Sequence, residues 1–229
     1  MNISSLQKHL TPKEAAELTT LQKDLHTKFM QGGTVKYFDE EFEVSPGVFP
    51  PRPDSICLVQ GMVVNPGDRV LDVCCGSGVV GIIAAKRGVR GVTGLDINPM
   101  SVQCANSNAK KHNVRNYHAL VSDVFSGLDP AAQFEVVTFN PPYRDMPTRT
   151  MTERTTWDQG LRVHKEFFAG VGGHLAKGGR IYFAQANFGP LDAIQTMLDE
   201  HGWTAELMGQ RPLNENPDIL FYGFEVLRK

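Results

Sequence analysis

Residues 69–81, RVLDVCCGSGVVG, run an apolar stretch straight into three glycines spaced Gly76-x-Gly78-x-x-Gly81. The apolar run predicts a buried strand over 69–75, and VVGIIAAKRG predicts a helix over 79–88. Glycines at the joint permit a tight turn and let the backbone approach a nucleotide closely. Taken alone, the pattern also fits a plain strand-to-helix turn. Its context is more specific. GVTGLD (91–96) predicts a second strand, and Asp96 at its end lies 20 residues beyond Gly76, placed to accept both hydroxyls of a ribose.

Outward from this unit, strand and helix patterns alternate. A helix is predicted over 98–113, with Asn98 as cap and Pro99 behind it. Strands follow at 116–123 and 134–140, a helix near 158–176, a strand at 180–186, a helix at 190–201, and strands near 203–208 and 219–227. Such alternation predicts an α/β fold with a doubly wound, mostly parallel sheet and helices on both faces. Upstream, TPKEAAELTTLQKDLHTKFM (11–30) reads as an amphipathic helix. Thr11 and Glu14 form its capping box, and Leu18, Leu21, Leu25 and Phe29 form its apolar stripe. A hairpin is predicted around Asp39-Glu40, and the proline-rich 48-VFPPRPDS-55 is predicted to be extended. The chain therefore divides into an N-terminal helix and hairpin, residues 1–50, suited equally to a lid or a packing appendage, and a nucleotide-binding catalytic domain, residues 51–229.

With 229 residues and a net charge of −2, the chain lacks the basic surplus of a protein that tracks phosphates, which disfavours a nucleic-acid partner. The pair Lys110-Lys111 reads as a solvated helix face. No two of the four cysteines (57, 74, 75 and 104) have structural-zinc spacing, and reduced, partly buried thiols are expected. The seven histidines are scattered without a carboxylate pattern, so each reads as a surface or packing residue, and no metal is expected. The polar N-terminus lacks a signal-peptide core, and no run is long enough to span a bilayer, so a cytoplasmic location is expected.

Two further acids narrow the chemistry. Asp72 sits inside the first strand, a costly place for a charge unless a ligand or backbone donors satisfy it. Asp123 ends the third strand, where it could accept from an adenine amino group or cap a helix. A Gly-Lys-Ser/Thr is missing after the glycine loop, which excludes a phosphate-binding NTPase. The set Asp72-x-x-x-Gly76-x-Gly78, Asp96 and Asp123 resembles the S-adenosylmethionine (SAM) site of class I methyltransferases. The resemblance implies SAM as cosubstrate, with contacts from Asp72, Cys74, Gly76, Ser77, Gly78, Asp96, Ile97, Asp123, Val124 and Asn140.

Strand 134–140 runs into Asn140-Pro141-Pro142-Tyr143. The prolines hold rigid carbonyls, so the Asn140 amide oxygen and the Pro141 carbonyl could together accept two hydrogens from one nitrogen. Tyr143 could stack on a flat acceptor. This resembles the Asn-Pro-Pro-Tyr motif of enzymes that methylate adenine, cytosine or glutamine side-chain nitrogen. The segment 51-PRPDS-55 is similar to the Pro-Arg-Pro-Glu-Thr of HemK/PrmC-type glutamine N5-methyltransferases, and 158-DQGL-161 to their Asp-Gly-Leu. The resemblance implies a Rossmann-like class I fold with a seven-stranded sheet whose last strand alone is antiparallel. It also implies Asn140, Pro141 and Tyr143 as catalytic residues. Arg52 and Tyr143 read as acceptor contacts, and Arg52 equally as a structural pin. Those enzymes carry a larger helical N-terminal domain that docks a release factor. Here one helix and a hairpin stand in its place, and RDMPTRTMTERTTW after the clamp departs from the pattern. The expected activity is SAM-dependent methylation of an amine or amide nitrogen on a small or flexible peptide acceptor. Alternatives are SAM cyclisation to azetidine-2-carboxylate and methylthioadenosine, methylation of an RNA or DNA base nitrogen, and a non-catalytic SAM-binding module. A dehydrogenase shares the glycine loop but has no use for Asp72 or the nitrogen clamp.

Overall fold

The computed structural model describes residues 1–213 and 216–229, except the side chains of Leu25 and His26, so the expected place of Leu25 in the stripe lies outside the described residues. Helix α1 (Pro12–Phe29) starts at the anticipated capping box. The Thr11 N–H and hydroxyl both donate to Glu14 Oε2 at 2.8 Å. Strands β1 (Gly33–Tyr37) and β2 (Glu40–Val44) form the hairpin. Its turn falls on Phe38 and Asp39, with φ of 49° and 62°, one residue earlier than expected. Positive φ at both central residues matches the strand twist. Helix α2 (Pro53–Gly61) corrects the extended reading of 48–55: extended backbone ends at Arg52, and Pro53 occupies a first turn that needs no N–H from it.

The remaining elements are β3 (Arg69–Val73), α3 (Val79–Lys86), β4 (Gly91–Asp96), α4 (Pro99–Lys111), β5 (Tyr117–Val121), β6 (Phe134–Phe139), α5 (Met151–Arg154), α6 (Arg162–His174), β7 (Leu175–Ala186), α7 (Leu191–Glu200), β8 (Trp203–Leu213) and β9 (Asn216–Arg228). They build a seven-stranded sheet in the order β5-β4-β3-β6-β7-β9-β8. The last strand, β9, runs antiparallel to both neighbours, as anticipated. The chain winds outward from β3 to β5 and returns beside β3 as β6, so the order reverses between β3 and β6. That reversal leaves a crevice at the strands' carboxyl ends, the usual ligand site of such sheets.

Packing secures this edge. Phe139, the last residue of β6, is fully buried and stacks on Phe167 of α6 with centroids 3.7 Å apart, with Phe183 of β7 at 5.6 Å. Stacked aromatic pairs add about 0.5–1.5 kcal/mol beyond area burial, so the strand end that presents Asn140 is anchored from beneath. On the other face, Leu58 and Val59 of α2 pack with Ile82 of α3, Tyr182 and Phe42. Phe42 of the hairpin is fully buried and lies against the His112 ring at 4.4 Å. No described helix is long and apolar enough to cross a membrane.

Candidate active site

Strand β3 ends at Val73, two residues short of the expected 69–75. Cys74 has a φ of 62°, a strained left-handed conformation for a residue with a Cβ, and Gly76 and Gly78 follow at 54° and 83°. Three left-handed residues in five make the turn, so Cys74 and Cys75 leave the strand and no longer alternate across it. The Cys75 N–H bonds the Leu95 carbonyl at 2.9 Å. Gly78 serves packing as well: a Cβ there would meet the Ala105 Cβ at 3.0 Å.

The crevice is a cavity of about 1100 Å³ counting its open mouth. Cys74, Gly76, Ser77, Asp96 and Ile97 line one side, with Asp72 at its base. Asp123 and Val124 line another wall, and Asn140, Pro141 and Tyr143 the end beside β6. Two anticipated residues are not among the lining, Gly78 and Arg52. Gly78 sits behind the turn, and the Arg52 carbonyl accepts from Tyr37 Oη at 2.6 Å and from the Ser55 N–H at 3.1 Å.

Asp72 is 1% exposed. It accepts from Thr138 Oγ1 at 2.8 Å and from the Gly81 N–H at 3.0 Å, and burial raises its pKa to about 6. No described cation pairs with it. Asp96 uses one oxygen for the Gly76 N–H and the other for the Asn98 N–H, both at 2.9 Å, and burial raises its pKa too. The Ser101 hydroxyl also bonds this carboxylate. Asp123 is neither bare nor a helix cap. Its carboxylate bonds Arg162 at 2.8 Å and lies 3.5 Å from Arg154 of α5. Four carboxylates and the single guanidinium of Arg154 make the lining strongly negative, which suits a cationic ligand.

At the other end the Asn140 N–H bonds the Val73 carbonyl at 3.3 Å, tying β6 to β3. Tyr143 is 8% exposed, with its ring edge packed on Phe188 and tilted against Phe221. It does not offer a free stacking face, contrary to expectation. Its hydroxyl meets two oxygens, Asp54 Oδ2 at 2.5 Å and Asn140 Oδ1 at 3.0 Å. Asp54 and Ser55, buried in the first turn of α2, complete this cluster, and Asn140 Nδ2 donates to Ser55 Oγ at 3.1 Å. Sequence reading placed neither in the site, although 54-DS-55 is where the chain departs from Pro-Arg-Pro-Glu-Thr.

Arg154 and Gln22 were also missed, because their positions depend on long-range folding. Gln22 of α1 reaches the cavity because Arg144, just past the clamp, donates to Gln22 Oε1 at 2.8 Å and to Thr19 Oγ1 at 2.9 Å. His164 of α6 is fully buried and does have a carboxylate partner. Its Nδ1 lies 2.7 Å from Asp158 Oδ2, and the Asp158 N–H bonds the Arg144 carbonyl at 2.8 Å. It is a packing histidine that fastens the loop after the clamp.

The methyltransferase small domain family matches residues 41–209. The chain belongs to this family. A Methanocaldococcus jannaschii protein, provisionally named a protein N5-glutamine methyltransferase, is 31% identical over 155 residues, covering 64% of this chain and 76% of that one. The release factor glutamine methyltransferase of Koribacter versatilis is 31% identical over 188 residues, covering 75% of this chain and 66% of that one. Among solved structures, the T. thermophilus 16S rRNA N2 methyltransferase, solved with AdoMet and guanosine, aligns with a TM-score of 0.65 at 19% identity, covering 86% of this chain and 50% of that one. The last likeness speaks to the fold alone. The protein is thus a SAM-dependent methyltransferase with the Rossmann-like class I fold, and SAM is its cosubstrate.

Proposed function

We propose that this methyltransferase alkylates an amine or amide nitrogen on a small or flexible acceptor, within the cavity at the carboxyl ends of β3, β4 and β6. The observation that carries this reading is the placement of Asn140-Pro141-Pro142-Tyr143 at the switch point, in one cavity with Asp72 and Asp96. Asp72, buried without a cation, receives the ammonium of SAM. Asp96, at the end of β4, accepts from the ribose hydroxyls. Asp123, held by Arg162 and Arg154, faces the adenine amine. The Asn140 amide oxygen and the Pro141 carbonyl accept two N–H groups of the acceptor and aim its lone pair at the methyl carbon. The nitrogen–carbon bond forms as the carbon–sulfur bond breaks, and adenosylhomocysteine leaves. Because the sulfonium is already activated, alignment and exclusion of water supply most of the rate.

The names of the relatives support an amide nitrogen on a flexible protein segment as the first acceptor to test. The net charge of −2 argues against a nucleic-acid acceptor. Purified protein incubated with SAM and, in parallel, with release factor, glutamine peptides or small amines should form adenosylhomocysteine only with an acceptor. Methylthioadenosine formed from SAM alone would instead mean cyclisation and reject the proposal. Asn140→Ala should lower kcat at least a hundredfold while the Kd for SAM changes less than threefold. Equal losses in both would contradict an orienting role.

A further inference from the structure

Tyr143 has one hydroxyl hydrogen and two oxygens within reach, Asp54 Oδ2 at 2.5 Å and Asn140 Oδ1 at 3.0 Å. The shorter contact, to a carboxylate, takes it, since charge-assisted bonds are the stronger ones. Ser55 Oγ likewise donates to Asp54 Oδ1 at 3.0 Å, and so is left to accept from Asn140 Nδ2 at 3.1 Å. These two bonds orient the amide with its oxygen facing the Tyr143 oxygen. Asn140 Oδ1 and Tyr143 Oη then turn lone pairs on each other, a contact that an N–H from a third group relieves. Asp54 itself is 4% exposed, lines the cavity, and has no ion-pair partner among the described residues. The titratable groups beside it, Tyr37, Cys57 and Tyr143, bring no positive charge.

We infer that Asp54 is the negative pole of the acceptor subsite. Through Tyr143 and Ser55 it turns the Asn140 oxygen toward the acceptor nitrogen, and through Tyr143 it receives the proton that nitrogen loses. As the nitrogen lone pair forms the bond to the methyl carbon, the carbon–sulfur pair returns to sulfur. The N–H hydrogen shared between Asn140 Oδ1 and Tyr143 Oη passes to Tyr143 Oη while the proton of Tyr143 moves to Asp54 Oδ2. Charge and atoms balance: the sulfonium positive charge ends as the neutralised Asp54 carboxylate. Asp54 is a positioning residue, acting on the acceptor through its neighbours.

The inference rests on the reading of this cavity as the SAM site with its nitrogen clamp at Asn140, and the test separates the two. Sinefungin carries an amine on carbon where SAM carries its sulfonium methyl, so it places N–H donors and a positive charge at the clamp without any acceptor. Adenosylhomocysteine, which lacks that group, is the internal control. By calorimetry the wild type should bind sinefungin at least tenfold more tightly than adenosylhomocysteine. Asp54→Asn and Tyr143→Phe should each cut that preference roughly tenfold, and Asp54→Glu should restore part of it, while the adenosylhomocysteine Kd stays within threefold. A merely structural role would weaken both ligands together. An unchanged preference in a variant that still binds adenosylhomocysteine overturns the inference and leaves the cavity reading standing. Failure of the wild type to bind either ligand overturns both. Should Asp54→Asn lose all binding, Tyr143→Phe decides.

Discussion

Asp72 illustrates how a single residue joins function to instability. Its carboxyl is buried, and burial raises its pKa from 3.8 to about 6. A carboxyl whose folded pKa exceeds the unfolded one contributes stability fully present below the unfolded value and lost as pH rises through about 6. For the ligand-free protein at pH 7.5 the loss is on the order of 3 kcal/mol. Asp72→Asn should therefore melt several degrees higher than wild type at pH 7.5 without ligand, with the difference vanishing below about pH 4. The same variant should bind SAM at least a hundredfold more weakly. Wild-type affinity for SAM should climb between about pH 5 and 7 as the carboxylate forms. Melting curves across pH and calorimetry check both halves. The residue types were legible in the sequence, because an acid inside an apolar strand demands a partner. The partners of Asp54 and Asp123 were not, since the carboxylate of Asp54 is met by a hydroxyl 89 residues away and that of Asp123 by an arginine 39 residues away.

At the scale of elements, α3 and α1 make contrasting tests. Gly81 lies inside α3, where alanine is the better helix former by about 1 kcal/mol. A Cβ at that position would meet the Tyr117 ring at 2.7 Å and Asp72 Oδ2 at 3.0 Å. Crowding outweighs propensity there, so Gly81→Ala should destabilise by about 1–3 kcal/mol, readable in urea unfolding as a lower midpoint at constant slope. Helix α1 is held to the site by Arg144, which bonds Thr19 and Gln22. Arg144→Ala should raise amide exchange within residues 12–29 at least tenfold and leave β3 and β6 protected. Equal exchange in both proteins would mean that the apolar face of α1 alone secures it. The Thr11–Glu14 capping box, the glycine turn and the alternation of strands and helices could be read from local pattern. The short helix α5 could not, because its Thr150–Glu153 capping box lies in a polar segment without apolar period, and only its contact with the cavity gives it a purpose.

For the whole molecule, the cavity draws on α1, α2, the β3 turn, the ends of β4, β5 and β6, and the α5 segment, so ligand should tie these parts into one cooperative unit. Adenosylhomocysteine at a hundredfold its Kd should add about 2.7 kcal/mol and raise a single melting transition, including the signal of Trp157 beside α5. A Trp157 transition that stays put while the rest shifts would show that α5 is uncoupled. The sequence by itself determined the alternating strands and helices, the left-handed glycine turn and the proline-stopped strand, because these depend on period, φ and missing donors within a few residues. The class I fold, the cosubstrate and the antiparallel last strand were implied by the resemblance of the Asp72–Gly78 and Asn140–Tyr143 motifs to a known family. Only the tertiary structure decided that Tyr143 is packed rather than free, that the Arg52 carbonyl is held by Tyr37 and Ser55, and that Asp54 stands behind the clamp. Each of these depends on which distant side chain supplies a hydrogen-bond partner or fills a volume, and that is set when the elements pack.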